Sequence, residues 1–207
     1  MGSMRFSSSI LPLAFLLFSP SGFGEERAPL SRVVIPAVAA WRMTIGLEGP
    51  EADQKTTVVQ AVNGKKWRSE TRTIGGGIAM GAFDGRTFRS NYPRHKNPKD
   101  GDPRKAIQTW EMAAKASTKR EGSEFAGRQC VSYLFLEKGA EQSITVDRDT
   151  RLVVKVLLKR RGSPNLTFTY EYLDYDVNAH SEELFGNGKL KPCFGAYLPK
   201  VVSRTYL

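Results

Sequence analysis

Histidine and cysteine are scarce: two of each in 207 residues. A catalytic Ser or Cys needs a His with an orienting acid beside it. His95 lies in a basic loop, and His180 lies in "DYDVNAHSEE" with Asp174, Asp176, Glu182 and Glu183. That acidic group is the one candidate metal or acid–base cluster, and a polar loop closing a sheet accounts for it more simply. "TIGGGIAMG" is glycine-rich but has no Gly-Lys-Ser/Thr and opens no helix, which excludes a phosphate loop. The turn "DRDT" (147–150) lacks the length and the further oxygen ligands of a Ca²⁺ loop and reads as an Asx-type hairpin turn. No basic stripe with interleaved aromatics is present, which argues against nucleic acid as a partner. No cofactor motif is read, and a hydrolase would have only His180 and its acids for support.

Long apolar runs are also missing. The longest, "ILPLAFLLF" (10–18), is too short to span a bilayer. It is followed by "SPSGFG", with small Gly22 and Gly24 at the positions a signal peptidase reads. Residues 1–24 are therefore expected to be a signal peptide cut before Glu25, and 25–207 a single exported domain. No cysteine lies near the cut, so no lipid-modified N-terminus is expected and the destination is the periplasm. Export makes Cys130 and Cys193 a candidate disulfide, with two separate buried thiols as the alternative. The formal charge is +10 on the whole chain. A basic exported protein suits anionic headgroups or acidic partners, so peripheral membrane contact is open to it.

What the chain does have is alternation. Trp41, Met43, Ile45 and Leu47 share one face of a strand, with Arg42, Thr44 and Gly46 on the other. "TTVVQAV-NG-KKWRSETR" (56–72) reads as a hairpin with a type I′ turn at Asn63-Gly64, and "GGIAMGAF-DG-RTFRSNY" repeats the device. It groups Val58, Gln60 and Val62 with Lys65, Trp67 and Ser69, and puts Arg68 and Glu70 on the other face. In "SITVDRDTRLVVKVLLK" (143–159) two strands flank a polar turn, each with one apolar face. "QCVSYLFL" and "NLTFTYEYLDY" alternate likewise, while "TKREGSEFAGR" reads as a loop. Asp102 and Pro103 open one amphipathic helix over about 103–117, its apolar stripe made by Ala106, Ile107, Trp110, Ala113 and Ala114. "SEELF" (181–185) is a short helical turn, and the Gly- and Pro-punctuated C-terminus has no firm assignment. About nine antiparallel strands with one helix make an α+β domain. One helix covers only part of such a sheet, so the rest must curl on itself or leave a cavity.

These motifs, in this order, resemble the periplasmic lipoprotein-carrier superfamily, the LolA/LolB-like fold, from about Trp41 to Phe185. "GKKWRSE" (64–70) is similar to that family's Gly-Lys-aromatic-Arg-aromatic-Glu strand, with Trp67 and Arg68 matching and Ser69 where an aromatic is usual. "FDGRTFRSNYP" (83–93) resembles its Asp-Gly turn and Tyr-Pro end, with Phe88 where Trp is common. "ITVDRDTRLVVKV" resembles its Asp-x-x-Thr-x-Leu hairpin, and "SEELF" its closing helical turn. The resemblance implies a curled antiparallel half-barrel with helices covering the concave face, a cavity for a lipid or lipoprotein acyl chain, and no enzymatic activity. The cavity candidates are then Trp41, Met43, Ile45, Trp67, Met80, Phe88, Trp110, Tyr133, Phe135, Val154, Val156, Phe168 and Tyr170. Arg68 is the candidate contact for a headgroup or a partner, with a cross-strand ion pair on the solvent face, to Glu70 or another acid, as the alternative. A regulatory module that binds an envelope protein through the same fold is the competing function.

Overall fold

The computed structural model describes residues 32–48, 55–73, 76–91, 101–117, 119–137 and 139–199. The expected signal peptide and much of the basic loop after Tyr92 lie outside them. The unit Ser31–Leu207 is compact, and its frame is one ten-stranded sheet. The strands are β1 (Val38–Glu48), β2 (Lys55–Asn63), β3 (Lys66–Arg72), β4 (Ile78–Phe83), β5 (Phe88–Ser90), β6 (Lys119–Phe125), β7 (Arg128–Glu137), β8 (Ala140–Asp147), β9 (Val153–Arg160) and β10 (Asn165–Tyr172). Their order is β5-β4-β3-β2-β1-β10-β9-β8-β7-β6. Two five-stranded meanders thus meet at the β1–β10 seam, and every pairing is antiparallel. The sheet is curled and open, as a half-barrel is. Its edges are blunted: β5 has three residues, and β6 carries Arg120, Glu121 and Glu124, which discourages pairing with another chain.

Helix α1 (Arg104–Ala116) joins the two outer edges and crosses the concave face. At its start, a Cβ on Gly101 would overlap the ring of Trp67 on β3, so only glycine permits that approach. At its end, Ser117 Oγ donates to the Leu134 carbonyl on β7 at 2.6 Å. Asp102 Oδ1 accepts the Arg104 N–H at 3.0 Å, a capping contact one residue ahead of the N-cap position Pro103. Arg32 Nη1 donates to the Ala114 and Ser117 carbonyls at 2.7 and 3.0 Å, a cation at the negative end of the helix dipole. Ile107, Trp110, Ala113 and Ala114 are buried against Trp41, Val62, Trp67, Val131, Tyr133, Ile144 and Tyr170. Four of the five residues of the expected stripe are therefore buried, and Ala106 is half-buried.

The convex face divides in two. Over β1–β4 it carries the Arg68–Glu70 pair among apolar residues, and a second cluster forms there from Ala40, Val59 and Ala61 with Val177, Leu184, Phe185, Phe194 and Leu198 of the C-terminal segment. That segment contains α2 (Ser181–Phe185) and a short 3₁₀ turn, Gly195–Tyr197. Over β7–β10 the middle row of the convex face is polar, Ser132, Thr145, Lys155 and Thr169.

Three readings are corrected. "KREGSEF" is a strand, not a loop. Its alternation is hidden because an edge strand on a solvated face carries charge on both sides. The first hairpin turns at Gly64-Lys65, with Asn63 paired to Lys66 and only Gly64 at positive φ. That moves the register by two residues and leaves the faces unchanged, because side chains alternate with period two. The turn with positive φ at both central residues is Ala126-Gly127 (φ 51° and 74°), closing β6 on β7.

Candidate functional site

The concave face is a series of cross-strand rows. One runs Ile45, Phe168, Val156, Ile144, Tyr133, each residue opposite the next. The next row towards the strand ends runs Leu47, Leu166, Leu158, Gln142, Phe135. The first row lies at the level of α1: Trp110 Nε1 donates to Tyr170 Oη at 2.8 Å, and its ring lies 5.7 Å from Phe168. Val156, Ile144 and Tyr133 are accordingly buried. All five residues of the second row are only partly buried. Phe135 and Leu158 pack on the core cluster, whereas Leu47 and Leu166 lie beyond it. This row is an apolar ledge at one open end of the half-barrel. Between Leu158 and Phe135 the Gln142 Oε1 atom is buried without a hydrogen-bond partner, an exception that calls for a donor.

The other end of the concave face is closed. Trp41 is fully buried and donates from Nε1 to Gln60 Oε1 at 2.7 Å. Its ring lies 6.0 Å from Tyr172, and Trp67 lies 5.6 Å from Phe88. Burial pushes the Tyr170 hydroxyl up to about 12, partly offset by the Trp110 N–H, so it stays neutral at any physiological pH. Burial raises Tyr172 as well.

Of the thirteen cavity candidates, eleven share the concave face. Trp41, Trp67, Trp110, Tyr133, Val156 and Tyr170 are buried core there, and Met43, Phe88, Phe135 and Phe168 are partly buried against it. Ile45 shares the face and lies outside the cluster. Met80 and Val154 belong elsewhere, correcting the expectation. Met80 stands opposite Glu70 on the convex face, its Sδ 3.8 Å from Arg68 Nη2. Val154 falls at the β-bulge where β9 slips against β8, and it lines a convex cleft of about 360 Å³ with Phe125, Arg128, Thr169 and Glu171. A bulge breaks the alternation that put Val154 with Val156.

Arg68 is also corrected. It is 2% exposed and meets neither solvent nor the concave face. Its Nε donates to Glu70 Oε1 at 2.6 Å, its Nη1 to the Leu184 carbonyl at 2.9 Å, and its Nη2 to the Lys191 carbonyl. Glu70, equally buried, accepts the Cys193 N–H at 2.9 Å and the Phe194 N–H at 3.0 Å. The pair is a clamp on the main chain of the C-terminal segment. Periodicity put the two residues on one face; the segment that buries them has no periodic pattern to announce it. The Trp41–Gln60 bond likewise had no signal beyond a Gln in an apolar position.

Cys130 and Cys193 are both free. Cys130 is on the convex face of β7, whereas Cys193 is in the C-terminal segment, its thiol near the Glu183 and Lys191 carbonyls. Burial pushes Cys193 up to about 11 and raises Cys130 too, so both stay protonated at neutral pH. His180 is exposed, 3.5 Å from Glu183, with its ring 5.0 Å from Tyr175. Asp176 caps the turn before it through the N–H groups of Asn178 and Ala179. Among the described residues no three of His, Cys, Asp and Glu converge as a metal site. No described helix is long and apolar enough to cross a membrane.

No family model and no curated protein matches the sequence. Among solved structures, MucB is 16% identical over 74% of this chain and 58% of that chain, with a TM-score of 0.45. The MucA/MucB complex of Pseudomonas aeruginosa gives 16% identity over 69% of this chain and 54% of that chain, at 0.42. A putative outer membrane lipoprotein-sorting protein domain from Vibrio parahaemolyticus gives 8% identity over 70% of this chain and 88% of that chain, at 0.20. The chain spans about half the length of the MucB chains it matches. These likenesses are loose; the α+β half-barrel stands on the strand order, the registers and the helix across the concave face.

Proposed function

We propose that the protein is an exported, non-catalytic binding protein of the cell envelope that holds a lipid or lipoprotein acyl chain along the concave ledge. The observation that carries this reading is the row Leu47, Leu166, Leu158, Gln142, Phe135: apolar at four of its five positions, partly exposed, and continuous across five strands. Strands lie about 4.8 Å apart, so such a row offers a track of about 19 Å, the length of a long acyl chain. Each buried methylene contributes about 0.8 kcal/mol. The orphan Gln142 oxygen would take a donor near the chain's head. Export, with residues 1–24 removed, belongs to the same proposal.

The test is native mass spectrometry of the protein isolated from the compartment to which it is exported. Extra mass of lipid size, lost on organic extraction, is the expected result. Leu158→Glu, at the centre of the ledge, should then abolish uptake of a fluorescent fatty acid while the far-UV spectrum is kept. A bare polypeptide mass together with no probe uptake overturns the proposal. In the MucA/MucB structure the neighbour is held in a complex with MucA; a co-purifying protein in place of lipid would select partner binding for this chain.

A further inference from the structure

The alternation of polar and apolar residues fails at one rim. Midway along the strands, the convex face reads Ser132, Thr145, Lys155, Thr169, Thr44 in successive strands, a polar row suited to water. One step towards the open end it reads Leu134, Ser143, Leu157, Thr167, and a further step reaches Leu136, which is 76% exposed. The concave face of the same strands carries Phe135, Leu158 and Leu166. "YLFLE" and "VLLK" therefore put leucine or phenylalanine on both faces of one rim. A soluble half-barrel gains nothing from apolar residues on its outer side, since no element of the described fold covers them there.

Among the described residues the same rim carries three cations, Lys159, Arg160 and Arg161, and two acids, Glu141 and Glu48, both of which act on Lys159. Leu136, Glu141 and Lys159 follow one another across β7, β8 and β9, and with Arg160 and Arg161 they border a depression of about 550 Å³. Lys159 is 2.8 Å from Glu141, whose hydrogen bond keeps it charged. Arg160 and Arg161 are exposed and have no acidic partner among the described residues. An exposed leucine beside unpaired arginines, on a rim apolar on both sides, has the make-up of an interfacial contact. The leucine enters the acyl boundary, and the cations meet the headgroup phosphates.

We infer that the β7–β8 and β9–β10 end of the sheet docks on an anionic bilayer surface, with Leu136 inserted and Arg160 and Arg161 on the headgroups. The inference is independent of whether the concave ledge holds a chain, and the two fail separately. Vesicles of phosphatidylglycerol and phosphatidylcholine would be compared with pure phosphatidylcholine in a flotation assay on the full chain and its variants. Binding to the anionic vesicles should exceed neutral binding at least tenfold and fall with salt. Arg160→Glu and Arg161→Glu should each weaken it by about fivefold or more, and Leu136→Asp by about tenfold. Arg86→Glu, in the exposed turn between β4 and β5, changes charge equally and should cost less than twofold. All four positions are exposed, and thermal melts would verify that the variants fold. The inference is overturned if Arg86→Glu weakens binding as much as Arg161→Glu, since net charge alone then explains it. It is equally overturned if Leu136→Asp binds like the parent, or if soluble glycerophosphate displaces the protein from vesicles at millimolar concentration, because the site would then recognise a free phosphate rather than a surface.

Discussion

The sheet has two covers, and they are held by different physics. The concave cover is α1, a regular helix whose interior main chain satisfies itself, with Arg32 and Asp102 serving only its ends. Beneath it lie an apolar stripe and two neutral hydrogen bonds, Trp110 to Tyr170 and Trp41 to Gln60. The convex cover is the C-terminal segment, which is mostly irregular. Its carbonyls at Leu184 and Lys191 and its N–H groups at Cys193 and Phe194 have no ladder to join. Burying them unpaired would cost about 1–3 kcal/mol each. Arg68 supplies donors to the first two and Glu70 acceptors to the second two. A buried ion pair is often worth no more than an apolar replacement. Here it serves the backbone of its cover, which an apolar pair could not.

The largest expected effect tests that distinction. Arg68→Met or Glu70→Leu leaves an uncompensated buried charge and should cost about 3–5 kcal/mol in denaturant unfolding. The double variant should stay nearly as unstable as either single one, because four main-chain groups remain orphaned. Recovery of most of the loss in the double variant would mean the pair is an ordinary ion pair. Each variant should also expose Cys193 to thiol reagents at low denaturant, as the cover lifts.

Ile107→Ala is the matching cut on the concave side. It removes buried apolar volume from α1 and should cost about 2–5 kcal/mol. It should leave Cys193 as protected as in the parent, because the covers lie on opposite faces. Equal deprotection would show that the two covers unfold as one unit.

A smaller effect should appear at alkaline pH, where Tyr170 on the concave side and Tyr175 on the convex side are both pushed up to about 12. Tyr170 is pushed up to about 12 in the folded protein from an ordinary 10. Its contribution is complete below pH 10 and is lost as pH rises through its folded value. Tyr170→Phe loses the Trp110 bond, about 1 kcal/mol, and should make the alkaline decline above about pH 10 shallower. An unchanged alkaline decline in Tyr170→Phe would place the titrating group elsewhere.

Most of the concave side was legible in the sequence because alternation and helical spacing report burial directly. Trp41, Met43 and Ile45, the stripe of α1 and the two strands of 143–159 announce their faces by period alone, except at Val154, where a bulge shifts the phase. The turn at Asp147 was legible too: its Oδ1 accepts the N–H groups of Asp149 and Thr150 and the Thr150 hydroxyl. The convex side was not. Arg68 and Glu70 look like a solvated pair until the segment from Val177 to Leu198 is laid over them, and that segment is aperiodic. β6 escaped because an edge strand has no apolar face to show. The ledge itself required register, which a sequence fixes only through its turns, and the first turn lies one residue beyond the Asn63-Gly64 pair that signals it.

The smallest expected effect concerns the cysteines. A bridge between residues 130 and 193 would close a long loop and contribute about 3–5 kcal/mol, and reduction would then collapse the convex cover. With both thiols free, a reductant should leave the unfolding midpoint where it was. Two thiols should titrate in denaturant, and neither should react quickly in the native protein, since burial holds Cys193 up at about 11 and raises Cys130. The order of their exposure then reads the architecture. Cys193 should appear with the loosening of the C-terminal segment, and Cys130 only when the β7–β8 pairing opens. Simultaneous appearance would mean the convex cover and the sheet are a single cooperative unit, and the clamp of Arg68 and Glu70 holds both.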